Sequence, residues 1–190
     1  MRLGIAHHLG WAVAVTAAND HTVIDRRRIE LIEPGLSNAP VHHEGGPHLL
    51  HRKAEPLDDR ALAVLVADVR ASVVRTASAA LDALAGTLAE PIVAMSLRAW
   101  PADFPTDIAV QRVVPYESRA DSVMYLQVLA ELARERGWDV CFFNANDVEA
   151  EATRRLGARA HDVLHGPRVA LGPPWSKDHR IALAATIVAT

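Results

Sequence analysis

A run of ionisable side chains opens the last helical segment of the chain. Lys177, Asp178, His179 and Arg180 follow a rigid Pro-Pro-Trp sequence and precede an apolar stretch. Ser176 alone would cap such a helix, because its hydroxyl can accept a hydrogen bond from a free backbone N–H. The polar residues exceed what a cap requires. We therefore predict catalytic or metal-binding roles for Asp178 and His179, and substrate-binding roles for Lys177 and Arg180.

Two histidines end the first predicted strand. His7 and His8 could join Asp178 and His179 as ligands of a divalent metal ion, since imidazole suits zinc or manganese better than magnesium. His7 is also a candidate proton carrier in catalysis. Adjacent strand residues point to opposite faces of a sheet, so the alternative is that only one of the two histidines faces the site. The predicted cofactor is Mn²⁺, Zn²⁺ or Mg²⁺, and the other alternative is none.

A second group of histidines occupies a long segment rich in Gly and Pro. It comprises His42, His43, His48 and His51, with Glu44 among them. Neutral imidazoles and a carboxylate are common metal ligands, so this group is an alternative metal site. A loop that covers the site as a lid, or a solvated loop without a ligand, fits the same residues.

A third group lies around the predicted start of the second long helix. Arg98 and Arg119 could clamp a phosphate or carboxylate there, because free backbone amides at a helix N-terminus attract anions. Asp121 is a further catalytic candidate at this place. The alternative is a capping region with surface ion pairs, in which Asp121 only stabilises the helix start.

The elements that must position these side chains follow from the periodicity of the apolar residues. Apolar runs and turn signals predict strands at 2–7, 11–17, 21–32, 91–97 and 138–143, and a further short strand at 108–114. Apolar residues at intervals of three and four predict helices at 57–88, 118–136, 147–156 and 177–188. Irregular loops are predicted for the His-, Gly- and Pro-rich segment 33–56 and for 166–174.

The order of these elements predicts an α/β fold. The first three strands are joined too tightly for crossovers, so they must form an antiparallel meander. Right-handed crossovers place the fourth and fifth strands parallel to the first. The result is a mixed sheet with helices packed on it, which is the ribonuclease-H-like arrangement. We expect one domain over residues 1–190.

Composition narrows the function classes. The 190 residues carry a formal net charge of −3, so nucleic-acid binding would need a local patch. The run Arg26–Arg28 could be such a patch or a solvated strand edge.

Cys141 is the only cysteine, which excludes an intrachain disulfide and fits a reducing compartment. No signal-peptide pattern or membrane-length apolar stretch is visible. We expect a cytoplasmic protein without a membrane partner.

Three stretches of the chain also match a known pattern. They are Leu3-Gly4-Ile5 with Gly10-Trp11-Ala12-Val13, the helix start Ala120-Asp121-Ser122, and the tail Asp178-His179-Arg180-Ile181-Ala182-Leu183-Ala184. They resemble the RuvC-like Holliday-junction resolvases, a branch of the ribonuclease-H-like fold. The resemblance implies a metal-dependent phosphodiester hydrolase, nucleic acid as the partner, and a homodimer.

The chain departs from that family where the family keeps its metal-binding acids. The expected acids fall on Ala6, Ser96 and Ile181, and only Asp178 remains. Two metal ions in a phosphodiester hydrolase require hard carboxylate oxygens. We therefore predict a remodelled or degenerate nuclease site that binds or processes nucleic acid. The alternatives are a non-catalytic interaction module of the same fold, or a metal-dependent enzyme for small molecules that uses the His-rich loop.

Overall fold

The computed structural model describes residues 1–46 and 55–188. The strands in these residues are β1 (Arg2–His8), β2 (Trp11–Ala17), β3 (Val23–Glu30), β4 (Ala94–Arg98) and β5 (Asp139–Phe143). The helices are α1 (Asp59–Ala85), α2 (Ile108–Gln111), α3 (Glu117–Glu135), α4 (Val148–Leu156), α5 (Ala160–His165), α6 (Pro167–Leu171) and α7 (Lys177–Val188). A π-helical turn, Val41–Gly45, lies before α1.

The five strands of the described chain form one mixed sheet in the order β3-β2-β1-β4-β5. β1 pairs antiparallel with β2, and β2 pairs antiparallel with β3. β4 is parallel to β1, and β5 is parallel to β4. The predicted α/β class is therefore confirmed, with its three-strand meander, its two parallel strands and the ribonuclease-H-like order.

The two faces of the sheet bury separate sets of apolar side chains, because neighbouring strand residues alternate between the faces. Leu3 and Ile5 of β1 belong to the core formed with α1 and α3. Ala6 belongs to the core formed with α4 and α7. β1 is thus covered on both faces, and its end at His7 and His8 meets a different helix on each side.

Helix α7 approaches the sheet closely at Gly4. A Cβ atom on Gly4 would overlap the main-chain carbonyl oxygen of Ala182, so a side chain at this position would displace the helix. Small buried residues of α7, such as Ala184 and Ala185, allow the same close contact. This packing holds the start of α7 beside the end of β1.

β3 is an edge of the described sheet and carries many charges. Arg27 donates to Asp25 at 2.7 Å, and Arg28 pairs with Glu30 at 2.8 Å. Arg26 donates to main-chain carbonyl oxygens between residues 171 and 174, including a 2.9 Å bond to Gly172. The arginine run is therefore engaged within the chain, as a strand edge, and does not present three unpaired cations.

Two predicted segments differ in the structure. The predicted short strand at 108–114 is wrong, since helix α2 begins there. The carboxylate of Asp107 accepts a hydrogen bond from the Ala109 N–H at 2.9 Å and so caps that helix. The predicted loop at 166–174 contains α6, which begins at Pro167, a residue suited to a first helical position. Within the described ranges, no helix has the length and apolar character needed to span a membrane.

Candidate functional site

The candidate site lies where the ends of β1 and β4 meet the first turns of α3 and α7. Because β1 and β4 are parallel, their carboxyl ends reach the same edge of the sheet. This edge is where open α/β sheets commonly bind ligands. It carries His7 and His8 from β1 and Arg98 from β4.

His7 points to the α3 side of the sheet. Its Nε2 atom lies 2.9 Å from the hydroxyl oxygen of Ser122, in the first turns of α3. Burial lowers the pKa of His7 to about 4, and positive charge on Arg98 and His8 acts in the same direction. His7 is therefore a neutral imidazole at neutral pH. It can accept the Ser122 hydroxyl proton or donate its own, according to its tautomer.

His8 points to the opposite, α7 side. Its Nε2 atom lies 3.0 Å from a carboxylate oxygen of Asp178, and both side chains are partly exposed. The His8 ring stacks on Trp11, with centroids 4.1 Å apart and an angle of 11° between the planes. The guanidinium carbon of Arg28 lies 4.0 Å from the centre of the Trp11 ring. His8 and Asp178 thus join β1 to α7 within a row of aromatic and cationic groups.

The predicted metal ligands do not converge. His7 and His8 lie on opposite faces of β1, so only His8 and Asp178 of the predicted set are in contact with each other. In the part of the chain that the structure describes, no group of three or more His, Cys, Asp or Glu side chains could hold a metal ion. The donors of these residues therefore do not fit a two-metal nuclease.

The alternative metal site is only partly within the described residues. The rings of His42 and His43 lie 5.5 Å apart with an angle of 53° between them. His48 and His51 lie outside the described residues. The structure therefore places two of the four histidines of this group on the π-helical turn and leaves the predicted site untested.

His179 has a local role at the start of α7. Its Nδ1 atom accepts a hydrogen bond from the Ser176 backbone N–H at 3.2 Å and lies 2.8 Å from the Ser176 hydroxyl. The side chain of His179 thus reaches back to the main chain of the residue before α7, which is one of the two hydrogen bonds of a capping box. Burial lowers the pKa of His179, and the nearby Arg26 adds to the effect. His179 therefore has a structural role through Nδ1, and its ligand role stays a prediction.

Asp121 is buried and holds the π-helical turn against α3. Its two carboxylate oxygens accept hydrogen bonds from the backbone N–H groups of Val41 and His42, each at 3.0 Å. Burial raises the pKa of Asp121 to about 6, against the opposing effect of these two bonds. Because both oxygens are used by the main chain, the structure places Asp121 as an anchor beside the site.

The residues predicted to bind substrate fall into two places. Arg98 and Arg119 line one cavity of about 220 Å³, together with Ser118, Ser122 and Trp100. Lys177 and Arg180 lie instead at the start of α7. There Lys177 is exposed, whereas Arg180 pairs with Glu149 at 3.0 Å.

Ser122 and Trp100 are the residues of this cavity that sequence reasoning missed. Ser122 contacts His7 across 115 positions of the chain, a distance that no local pattern reveals. The available signal was the position of Ser122 directly after Asp121 in the helix start that resembles the resolvases. Trp100 follows β4 by two residues and packs edge-on against Phe142, with ring centroids 5.0 Å apart.

No family model matches the sequence, and no curated protein matches it. Among solved structures, the chain is similar to T. thermophilus RuvC in complex with a Holliday junction substrate. The TM-score is 0.47 and the identity 12%, over 98% of this chain and 90% of that chain. A second Thermus thermophilus RuvC structure gives a TM-score of 0.46 at 12% identity, with the same coverage. These likenesses concern the fold alone.

Proposed function

We propose that this protein binds the phosphate groups of nucleic acid through Arg98 and Arg119, at a site that is a degenerate version of a nuclease site. The observation that carries the proposal is the cavity of about 220 Å³ that both Arg98 and Arg119 line. Guanidinium groups bind phosphate oxygens through paired, charge-assisted hydrogen bonds. Ser118 and Ser122 line the same cavity, and their hydroxyls can add neutral donors.

The availability of the two arginines supports the proposal. Among the described residues, neither Arg98 nor Arg119 forms an ion pair with a carboxylate, whereas Arg27, Arg28 and Arg75 each do. Both arginines of the cavity are exposed at the surface. A phosphate group that enters the cavity therefore has no carboxylate of the described chain to displace from either arginine.

His7 contacts the cavity through Ser122, one of its lining residues. As a neutral imidazole it fixes the Ser122 hydroxyl at 2.9 Å without adding a negative charge that would repel a phosphate. Its role in the proposal is to position Ser122. Trp100 supplies an aromatic ring beside the two cations, and this combination is typical of sites where bases stack while the backbone is held electrostatically.

The proposal is one of binding and not of two-metal hydrolysis. The chain has Ala6, Ser96 and Ile181 at the positions where the resolvases keep acids. Ala6 and Ser96 are buried, and Ser96 lies inside the sheet between Gly4 and Cys141. These side chains provide no carboxylate oxygens for magnesium or manganese. Binding is therefore expected without an added divalent metal.

The test is the salt dependence of DNA binding, measured by fluorescence anisotropy with labelled single-stranded, duplex and four-way-junction DNA. Two phosphate contacts predict a slope of about −1.8 for log K against log salt on duplex DNA. Arg98→Ala and Arg119→Ala should each reduce that slope by about 1 and weaken binding to all sequences alike. If the two variants lose affinity but keep the salt dependence of the wild type, the proposal is contradicted.

Arg134→Ala is the matched control. Arg134 is an exposed arginine on the same helix as Arg119 and lies about 22 Å away along the helix axis, given a rise of about 1.5 Å per residue. It should leave affinity and slope unchanged. An equal effect of all three variants would show that binding depends on general positive charge and not on this cavity. Metal-dependent cleavage of the same DNA that Asp178→Asn abolishes would show that the site is a working nuclease.

A further inference from the structure

Helix α5 carries two histidines that the proposed function does not use. His161 and His165 are one helical turn apart, and their ring centroids lie 5.2 Å apart. Both residues are exposed, and the side chain of His161 retains 86% of its accessible surface. Residues at positions i and i+4 share one face of a helix, so the two imidazoles face the same volume of solvent.

The spacing suits chelation of one metal ion. Two helical histidines four positions apart are the pair by which His-x-x-x-His sequences bind zinc. With metal–nitrogen bonds of about 2.0–2.1 Å and a tetrahedral angle at the metal, two imidazole centroids stand about 5 Å apart. The observed separation of 5.2 Å agrees with this value. The planes are stacked, at 19° to each other, so chelation requires only that the exposed rings rotate about their side-chain torsions.

The ring nitrogens are available to a ligand. Within the described residues neither ring takes part in a hydrogen bond, and the charged group beside His161 Nδ1 is the Asp162 carboxylate, at 3.6 Å. That carboxylate is itself 91% exposed. It adds negative charge beside the pair and can accept a hydrogen bond from a metal-bound water.

We propose that His161 and His165 form a binding site for one divalent transition-metal ion of the borderline class, Zn²⁺, Ni²⁺ or Cu²⁺. No third His, Cys, Asp or Glu of the described chain completes the group, so water fills the remaining coordination positions. A two-ligand site of this kind follows the usual order of affinities, in which Cu²⁺ binds more tightly than Ni²⁺ or Zn²⁺. Protons compete with the metal, because only the neutral imidazole is a ligand.

The experiment is titration of the purified full chain with Cu²⁺ and with Zn²⁺, followed by calorimetry and, for Cu²⁺, by electron paramagnetic resonance. The wild type should show one site with hyperfine coupling to two imidazole nitrogens. His161→Ala and His165→Ala should each weaken that site at least tenfold, and the double variant should bind more weakly than either, because it retains neither imidazole ligand. Both substitutions are at exposed positions, so the folded state is retained.

His43→Ala and His8→Ala are the controls, because they remove histidines that lie elsewhere in the chain. Each should leave the two-nitrogen site intact. Absence of Cu²⁺ binding by the wild type would overturn the proposal. So would a signal that survives in His161→Ala and disappears in a control variant, since the metal would then sit on another histidine group.

Discussion

The two neighbouring histidines at the end of β1 lie in opposite environments on the two faces of the sheet. On the α3 side, His7 is held as a neutral, largely buried group against Ser122, behind a cavity whose two arginines pair with no carboxylate of the described chain. On the α7 side, His8 is partly exposed, stacked on Trp11 and paired with a carboxylate. One side leaves positive charge open to a ligand, and the other satisfies its charges internally. The difference shows that a cluster of polar residues in sequence need not be one site in space.

The largest expected effect concerns the packing that sets the α7 side in place. Gly4→Ala introduces a methyl group where the Ala182 carbonyl oxygen lies, so it should destabilise the fold by about 3 kcal/mol or more. Urea unfolding measures the change. Gly86→Ala is the control, because its backbone is already helical, and it should change the stability by less than about 1 kcal/mol. A loss below about 1 kcal/mol in Gly4→Ala would show that the stability does not depend on the close approach of α7 to β1.

The next effect distinguishes the two histidines by their response to acid. Burial lowers the pKa of His7 from 6.5 to about 4, so an unfolded chain takes up a proton on this imidazole before the folded chain does. Above pH 6.5, His7 adds no pH dependence to the free energy of unfolding. As the pH falls towards 4, His7 lowers this free energy by about 3 kcal/mol in total.

The measurement is the free energy of unfolding of the wild type, His7→Gln and His8→Gln across this pH range. Relative to the wild type, His7→Gln should gain about 3 kcal/mol of stability as the pH falls from 6.5 to 4, since its amide can still bond to Ser122 but does not titrate. Asp121, whose raised pKa acts in the opposite direction over this range, is present in both proteins and cancels in the comparison. His8→Gln should show no such gain relative to the wild type. If the two variants respond alike to acid, the contrast between the faces is wrong.

The smallest effect is the coupling between His8 and Asp178. Both side chains are partly exposed, at 43% and 29%, so solvent screens their attraction. A double-mutant cycle with His8→Ala and Asp178→Ala should give a coupling energy below about 1 kcal/mol, decreasing further at high salt. A coupling above about 2 kcal/mol would mean that the α7 side is as tightly organised as the α3 side.

The sequence predicted the fold better than the site, and the reason is physical. Helix α7 was predicted with its observed bounds, because an apolar run after a capping serine is a local signal. The strand order followed from short turns and right-handed crossovers. Segment 108–114 was mispredicted because its β-branched apolar residues favour a strand, whereas the Asp107 cap starts a helix. Such capping depends on one hydrogen bond and competes with propensity.

The site residues depend on contacts that periodicity does not encode. The alternation of strand side chains did predict that His7 and His8 could be separated, and they are. The pairing of Asp121 with backbone groups of residues 41 and 42 bridges about 80 positions, so its anchoring role was not visible in the sequence. The same holds for Ser122, which becomes a candidate only when α3 is packed on β1.

The charged edge of the sheet has a consequence for the behaviour of the protein in concentrated solution. An exposed strand edge is a template to which another chain can add a strand. On β3, a second chain would have to dehydrate or displace Asp25, Arg27, Arg28 and Glu30 before it could pair. The charged side chains of this edge therefore also discourage edge-to-edge aggregation.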